Sequence, residues 1–225
     1  MSKPAGERLI ESLERRFRTV RSRVDVAGRE IVLLHPESAE DLIDERDFEQ
    51  DERLPYWAEI WPSARILAAH VVQLNARKRT LLELGCGAGL VAAAATLAGF
   101  RVTVSDYYDD ALRFARANAW LNDVTAPSTM LLDWRALPDD AARYDVIVAS
   151  DVLYEREYGS LVARAIDALL ADNGIAYLAD PGRVGRDDFL RSLTSCDLVL
   201  RSTTQHRFAE GAVRQTITIY EIGRR

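Results

Sequence analysis

Residues 80–106 read TLLELGCGAGLVAAAATLAGFRVTVSD, and the fold follows from how this stretch divides. Leu81, Leu82 and Leu84 form a short apolar run, as expected of a parallel strand buried on both faces. Gly85-Cys86-Gly87-Ala88-Gly89 then predicts a tight turn. The Ala-rich segment 90–98 favours helix, and Gly99 stands where helices commonly stop. Residues 101–104 read as a second strand, finishing at Ser105-Asp106. The stretch is one βαβ unit with a glycine-rich loop between its first strand and its helix.

That loop has a specific chemistry. Glycines take positive φ and let backbone approach a ligand closely. The helix start offers free N–H groups and partial positive charge. Asp106 lies 21 residues after Gly85, at the end of the second strand, where a carboxylate binds ribose hydroxyls. The unit is therefore expected to hold a nucleoside. Its spacing is G-x-G-x-G, which differs from the dinucleotide fingerprint G-x-G-x-x-G. Glu83, two residues ahead of the first glycine, suits an ammonium or sulfonium and would repel a pyrophosphate.

Working outward, residues 7–19 can form a docking helix with Leu9, Ile10, Leu13 and Phe17 on one face. Residues 23–26 and 30–33 alternate around Ala27-Gly28-Arg29 and predict a β-hairpin. Residues 37–52 hold nine acids, either a solvated surface or an acidic rim for a basic partner. Tyr56, Trp57 and Trp61 precede the βαβ unit and suit either the core or the mouth of its site. Pro62 fits the first turn of a helix over about 63–75. After Asp106, residues 109–121 form a helix with Leu112, Ala115 and Ala119 inward. Strands follow at 128–132, 144–149 and 175–179, with helices over 157–170, stopped by Asn173-Gly174, and 187–193. The segments 197–203 and 213–220 are strand-like, and the gap between them is too short for a crossover helix, so they pair antiparallel. The expected fold class is α/β, a seven-stranded, mostly parallel sheet. Residues 1–53 form an N-terminal extension (helix, hairpin, acidic segment), and residues 54–225 form the ligand-binding domain.

Composition narrows the function classes. The chain has 225 residues, 48% of them hydrophobic, enough for one sizeable core. Its net charge of −6 disfavours broad nucleic-acid binding. No apolar run reaches a membrane span, and the N-terminal residues lack the apolar core of a secretory signal. Cys86 sits in the ligand loop and Cys196 far from it, so a structural disulfide is not expected and a cytoplasmic setting is. His35, His70 and His206 lack metal-ligand spacing, so no metal is expected.

Ligands in open α/β sheets bind beyond the carboxyl ends of the strands. The polar residues there are Gly85–Gly89, Asp106, Asp133-Trp134, Ser150-Asp151 and Asp180. Each alone reads equally well as a turn or helix cap. Together they converge on one edge, where Trp134 can lie against an adenine face.

These residues carry a family resemblance. LELGCGAG resembles motif I of the class I AdoMet-dependent methyltransferases, which have a Rossmann-like fold. With Trp61-Pro-Ser-Ala, Leu132-Asp-Trp134 and Ser150-Asp-Val-Leu-Tyr154, residues 54–180 resemble the family-16 lysine methyltransferases. Asp180-Pro-Gly-Arg183 is similar to the branch acting on electron-transfer flavoprotein β-subunits. The resemblance implies that Trp61, Gly85, Cys86, Gly87, Asp106, Trp134 and Ser150 contact S-adenosylmethionine (AdoMet). Glu83, Tyr107 and Asp133 are counted in the same site, and Asp151 and Tyr154 would face the acceptor. It also implies methyl transfer to a lysine side chain of a protein partner, leaving S-adenosyl-L-homocysteine. The chain is expected to act as a monomer, with neither a nucleic-acid nor a membrane partner.

A lysine acceptor must lose its proton before it can attack, its ordinary pKa being about 10.4. Aromatic walls such as Tyr154 and Tyr56 would desolvate it, and Asp151 would steer the entering ammonium. Three other readings compete: a small-molecule methyltransferase of the same fold, an NAD-dependent oxidoreductase, and a non-catalytic AdoMet-binding or scaffold module.

Overall fold

The computed structural model describes residues 5–39, 42 and 55–225, so most of the acidic segment 37–52 lies outside the described residues. Helix α1 (Ala5–Arg16) leads into an antiparallel hairpin of β1 (Thr19–Val26) and β2 (Arg29–Pro36). The helix is shorter than the apolar spacing suggests, because Thr19 already begins the strand. A short 3₁₀ turn (Tyr56–Ala58) precedes helix α2 (Pro62–Val71). Then come β3 (Thr80–Leu84), α3 (Leu90–Ala98), β4 (Arg101–Asp106), α4 (Asp109–Leu121), β5 (Ser128–Leu131) and β6 (Tyr144–Ser150). The chain ends with α5 (Arg156–Leu169), β7 (Leu170–Asp180), α6 (Arg186–Ser192), β8 (Leu198–Glu210) and β9 (Val213–Arg224).

The main sheet has seven strands in the order β5-β4-β3-β6-β7-β9-β8. Strands β3 to β7 pair parallel, and β9 joins antiparallel to β7 and β8. This is the Rossmann-like architecture expected. The chain runs outward from β3 to β5 and returns to β6 on the other side of β3. That reversal opens a crevice at the strand tips.

Each central strand is a continuous apolar run because both sheet faces are covered. Leu81, Val104, Val146, Val148 and Ala179 pack on one face with α2, α3 and the hairpin. Leu82, Leu84, Ile147, Ala149 and Leu178 pack on the other with α5 and α6. Helix α3 is buried from Leu90 through Ala95, and its alanines let it fit between neighbours on several sides.

The N-terminal segment is joined to this body by side-chain amides. Asn118 on α4 accepts from Leu34 N at 2.7 Å and donates to Leu34 O at 2.9 Å and to Ala88 O at 2.8 Å. Asn122 makes the same paired contact with Val32. Ile10, Leu13, Leu34, Phe114 and Ala117 form the apolar seam beneath.

Two local expectations change. Asn173-Gly174 does not stop a helix. Helix α5 runs straight into β7, and Tyr144 faces Leu170 while Val146 faces Ile175, so residues 171–174 bulge from the strand. Leu170 is fully buried and holds its place in the core, which forces the polar residues after it outward. The final hairpin is longer than its apolar pattern, because β8 is mostly exposed and its pairing with β9 extends the ladder through polar positions.

Candidate functional site

The glycine turn is fixed by backbone contacts to the tip of β4. Cys86 N donates to Ser105 O at 3.0 Å, and Gly87 N donates to Asp106 Oδ2 at 3.0 Å. The other oxygen of Asp106 accepts from Tyr108 N at 3.0 Å. Gly87 has φ +49°, and a Cβ there would stand 2.9 Å from the Trp57 carbonyl oxygen. Only glycine combines this backbone with that approach.

Two carboxylates face the same cavity, and both are buried. Burial pushes the Asp106 pKa up to about 6, against the lowering effect of the N–H groups it accepts. Glu83 is pushed well above its ordinary value, first by burial and further by the charge of Asp106. Glu83 Oε2 is buried and has no hydrogen-bond partner. A buried carboxyl oxygen without a partner, on a residue that lines a cavity, suits a cationic ligand group.

The structure brings Trp61, Glu83, Gly85, Cys86, Gly87, Asp106, Tyr107, Trp134, Ser150, Asp151 and Tyr154 around this one cavity. Asp133 is not on its wall. Its Oδ1 accepts Arg135 N at 2.9 Å and shapes the turn that presents Trp134. Sequence reasoning left the aromatic stretch before α2 open between core and mouth, and the structure puts it in both. Trp57 packs against Phe17 and Phe114, with ring centroids 6.3 and 5.6 Å away, and also lines the cavity.

An aromatic cluster stands at one side of the cavity. Tyr56 sits 5.0 Å from Tyr154, Tyr154 sits 4.9 Å from Tyr158, and Trp134 sits 5.7 Å from Tyr158, all edge-on. Burial, reinforced by Tyr158, raises the Tyr154 pKa far above that of a free phenol. The surroundings of Tyr154 therefore favour its neutral phenol form.

Asp151 has φ +59°, a conformation that aspartate tolerates better than most residues. Its carboxylate is fully engaged. Oδ2 accepts from Ser63 Oγ at 2.8 Å, and Oδ1 accepts from Arg183 Nε at 2.5 Å. The roles of Ser63 and Arg183 were missed. For Ser63 the sequence holds no signal; for Arg183 it holds a weak one, because successive strands at 144–149 and 175–179 commonly neighbour each other and bring the turns after them together.

The histidines stand apart from this cavity. His35 shares a hydrogen bond of 2.8 Å with Ser22, and His70 packs 4.8 Å from Tyr177. Among the described residues no group of three or more potential ligands is placed to hold a metal. No helix among them is long and apolar enough to cross a membrane.

The donor set fits a nucleoside that carries a cationic group. Asp106 lies beside the glycine turn, Trp134 offers an aromatic face, and Glu83 offers a carboxyl oxygen without a hydrogen-bond partner. Comparison with known proteins agrees. The model of a family described as lysine methyltransferase matches residues 44–195. Protein N-lysine methyltransferase METTL21A of Xenopus tropicalis is 26% identical over 181 residues, covering 75% of this chain and 84% of that protein. The electron transfer flavoprotein beta subunit lysine methyltransferase of Danio rerio is 29% identical over 139 residues. That match covers 60% of this chain and spans only 53% of the relative's length. Among solved structures, the ribosomal protein L11 methylase of Lactobacillus delbrueckii subsp. bulgaricus superposes with a TM-score of 0.58 at 19% identity, covering 74% of this chain and 81% of that one. At that identity the likeness concerns the fold.

Proposed function

The chain belongs to this lysine methyltransferase family, and on that footing we propose that it transfers a methyl group from AdoMet to the side-chain amine of a lysine in a protein. One observation carries the reading. Tyr56, Trp61, Asp151 and Tyr154 line the cofactor cavity and also a second cavity beside it. An amine entering through the second cavity meets the donor across aromatic walls.

In this reading Asp106 accepts the ribose hydroxyls and Glu83 takes the ammonium of the methionine part. Trp134 lies on the adenine, while Trp61, Gly85, Cys86, Gly87, Tyr107 and Ser150 complete the cofactor wall. Asp133 contributes by holding the turn that carries Trp134. AdoMet supplies a methyl on a positively charged sulfur, so the amine lone pair forms the new N–C bond as the C–S bond breaks toward sulfur. The chain's own part is to hold, orient and dry the amine. Fixing two reactants at attack distance is worth up to roughly 7–11 kcal/mol. Tyr154 and Tyr56 remove water from the amine and so favour its neutral form. The reading includes a monomer acting in the cytoplasm, with 1–53 as an extension of a 54–225 catalytic domain.

The test is label transfer. Pure protein is incubated with methyl-labelled AdoMet and cell lysate, and the products are separated into protein, nucleic-acid and small-molecule fractions. Methyl-lysine in the hydrolysed protein fraction supports the reading. Label confined to small molecules would replace it with the metabolite-methylating alternative.

A further inference from the structure

Arg183 stands where an incoming ammonium would be drawn. A cation entering the second cavity would seek a carboxylate and an aromatic face. This chain's own guanidinium already takes both. Arg183 Nε donates to Asp151 Oδ1 at 2.5 Å, and its central carbon lies 5.1 Å from the Trp61 ring centre. The Asp151 side chain is 2% exposed and that of Arg183 is 34% exposed, so the arginine covers the acid from the solvent side.

The placement is built into the fold. Asp180, at the tip of β7, accepts Gly182 N at 2.7 Å and Arg183 N at 3.0 Å through one oxygen. Gly182 has φ +99° and turns the chain so that Arg183 faces back toward β6. The cavity it borders has a volume of about 400 Å³, of the size that takes a small ligand or a side chain. Its other ionisable walls are the phenols of Tyr56 and Tyr154. Among the residues that line it, the ion pair of Asp151 and Arg183 sums to no net charge, and the buried Asp180 stands behind them, held by the Gly182 and Arg183 N–H groups.

We propose that Arg183 is a specificity-determining residue of the acceptor entrance, which neutralises Asp151 and covers Trp61 so that the cavity rejects cations and takes the acceptor amine in its neutral form. The proposal rests on the methyltransferase reading. A fixed positive charge beside an amine disfavours protonation of that amine. An uncovered carboxylate would do the opposite, holding the ammonium that has no lone pair to give. This revises the role expected of Asp151, whose attraction for an ammonium is already satisfied.

The test needs no turnover. Choline and dimethylbutanol, its uncharged carbon isostere, are titrated calorimetrically into the protein without methyl donor. The variants are Arg183→Gln and Arg183→Gln/Asp151→Asn, with melting curves confirming that each is folded. Arg183→Gln is expected to bind choline about tenfold more tightly than the parent, the scale of a freed aromatic face and carboxylate. Its affinity for dimethylbutanol stays unchanged, and the double variant loses the gain. Equal choline affinity in parent and Arg183→Gln overturns the proposal, as does an equal gain for both probes, which would report space rather than charge. If Arg183→Gln does not fold, Arg183→Lys carries the test, since it keeps the charge and must keep excluding choline; tight choline binding in that variant also overturns the proposal. Absence of lysine labelling by the parent protein would defeat the functional reading while leaving these titrations to stand or fall on their own.

Discussion

Asp106 Oδ2 accepts the backbone N–H of Gly87 at 3.0 Å, so the tip of β4 and the glycine turn after β3 are held as one unit. The carboxylate that fixes the turn is also the one proposed to hold the ribose. Its burial sets its pKa at about 6 in the ligand-free protein, which gives the site a pH signature.

Ribose hydroxyls donate to an ionised carboxylate, so cofactor binding expels a proton from Asp106 at and below pH 6. Affinity for S-adenosylhomocysteine is expected to fall by about tenfold per pH unit below that point. Calorimetry in buffers of different ionisation heat will show proton release, and Asp106→Asn will abolish it. The folded pKa lies above the unfolded value of about 3.9, so the stability contributed by protonated Asp106 is full below pH 4 and lost between about 4 and 6.

Glu83 has a buried oxygen without a partner, and burial raises its pKa. Glu83→Gln is expected to stabilise the ligand-free protein increasingly as pH rises, because burial penalises the ionised carboxylate and glutamine has no charge to bury. The same change weakens S-adenosylhomocysteine binding by roughly 10- to 100-fold, the scale of one charged hydrogen bond. Melting temperature and calorimetric affinity must move in opposite directions.

Asn118 joins the hairpin to the cofactor loop through Leu34 and Ala88. Asn118→Leu strands these buried backbone groups, and each costs about 1–3 kcal/mol when left unpaired. Urea denaturation should show a loss of several kcal/mol. Cofactor affinity should fall as well, because the Ala88 carbonyl belongs to the turn.

At Gly87 a Cβ would meet the Trp57 carbonyl at 2.9 Å, in a backbone conformation with φ +49°. Gly87→Ala is expected to lower stability by about 1–3 kcal/mol and to weaken cofactor binding more than Gly99→Ala does. The Gly99 site has the stronger positive φ but room for a methyl, its nearest neighbour being 3.8 Å away. Paired titrations of the two variants check this.

The βαβ unit was legible because its signals are local: an apolar run, a turn only glycine can make, and an acid at the next strand tip. The bulge at residues 171–174 was not, since Asn173-Gly174 reads as a turn until Leu170 is known to be buried in the sheet. Asp133 reads like Asp106 in sequence, yet it spends its oxygen on Arg135 N. Arg183 was the hardest to read, because its meaning depends on Asp151, 32 residues away on a neighbouring strand tip. A carboxylate's role depends on what already neutralises it, and that is a property of the packed structure.

The most direct test of the account is a calorimetric titration of S-adenosylhomocysteine into the parent protein and into Asp106→Asn and Glu83→Gln. The account predicts one saturable site in the parent, with affinity reduced about tenfold or more in each variant while both remain folded. No binding by the folded parent, or unchanged affinity in both variants, would contradict it.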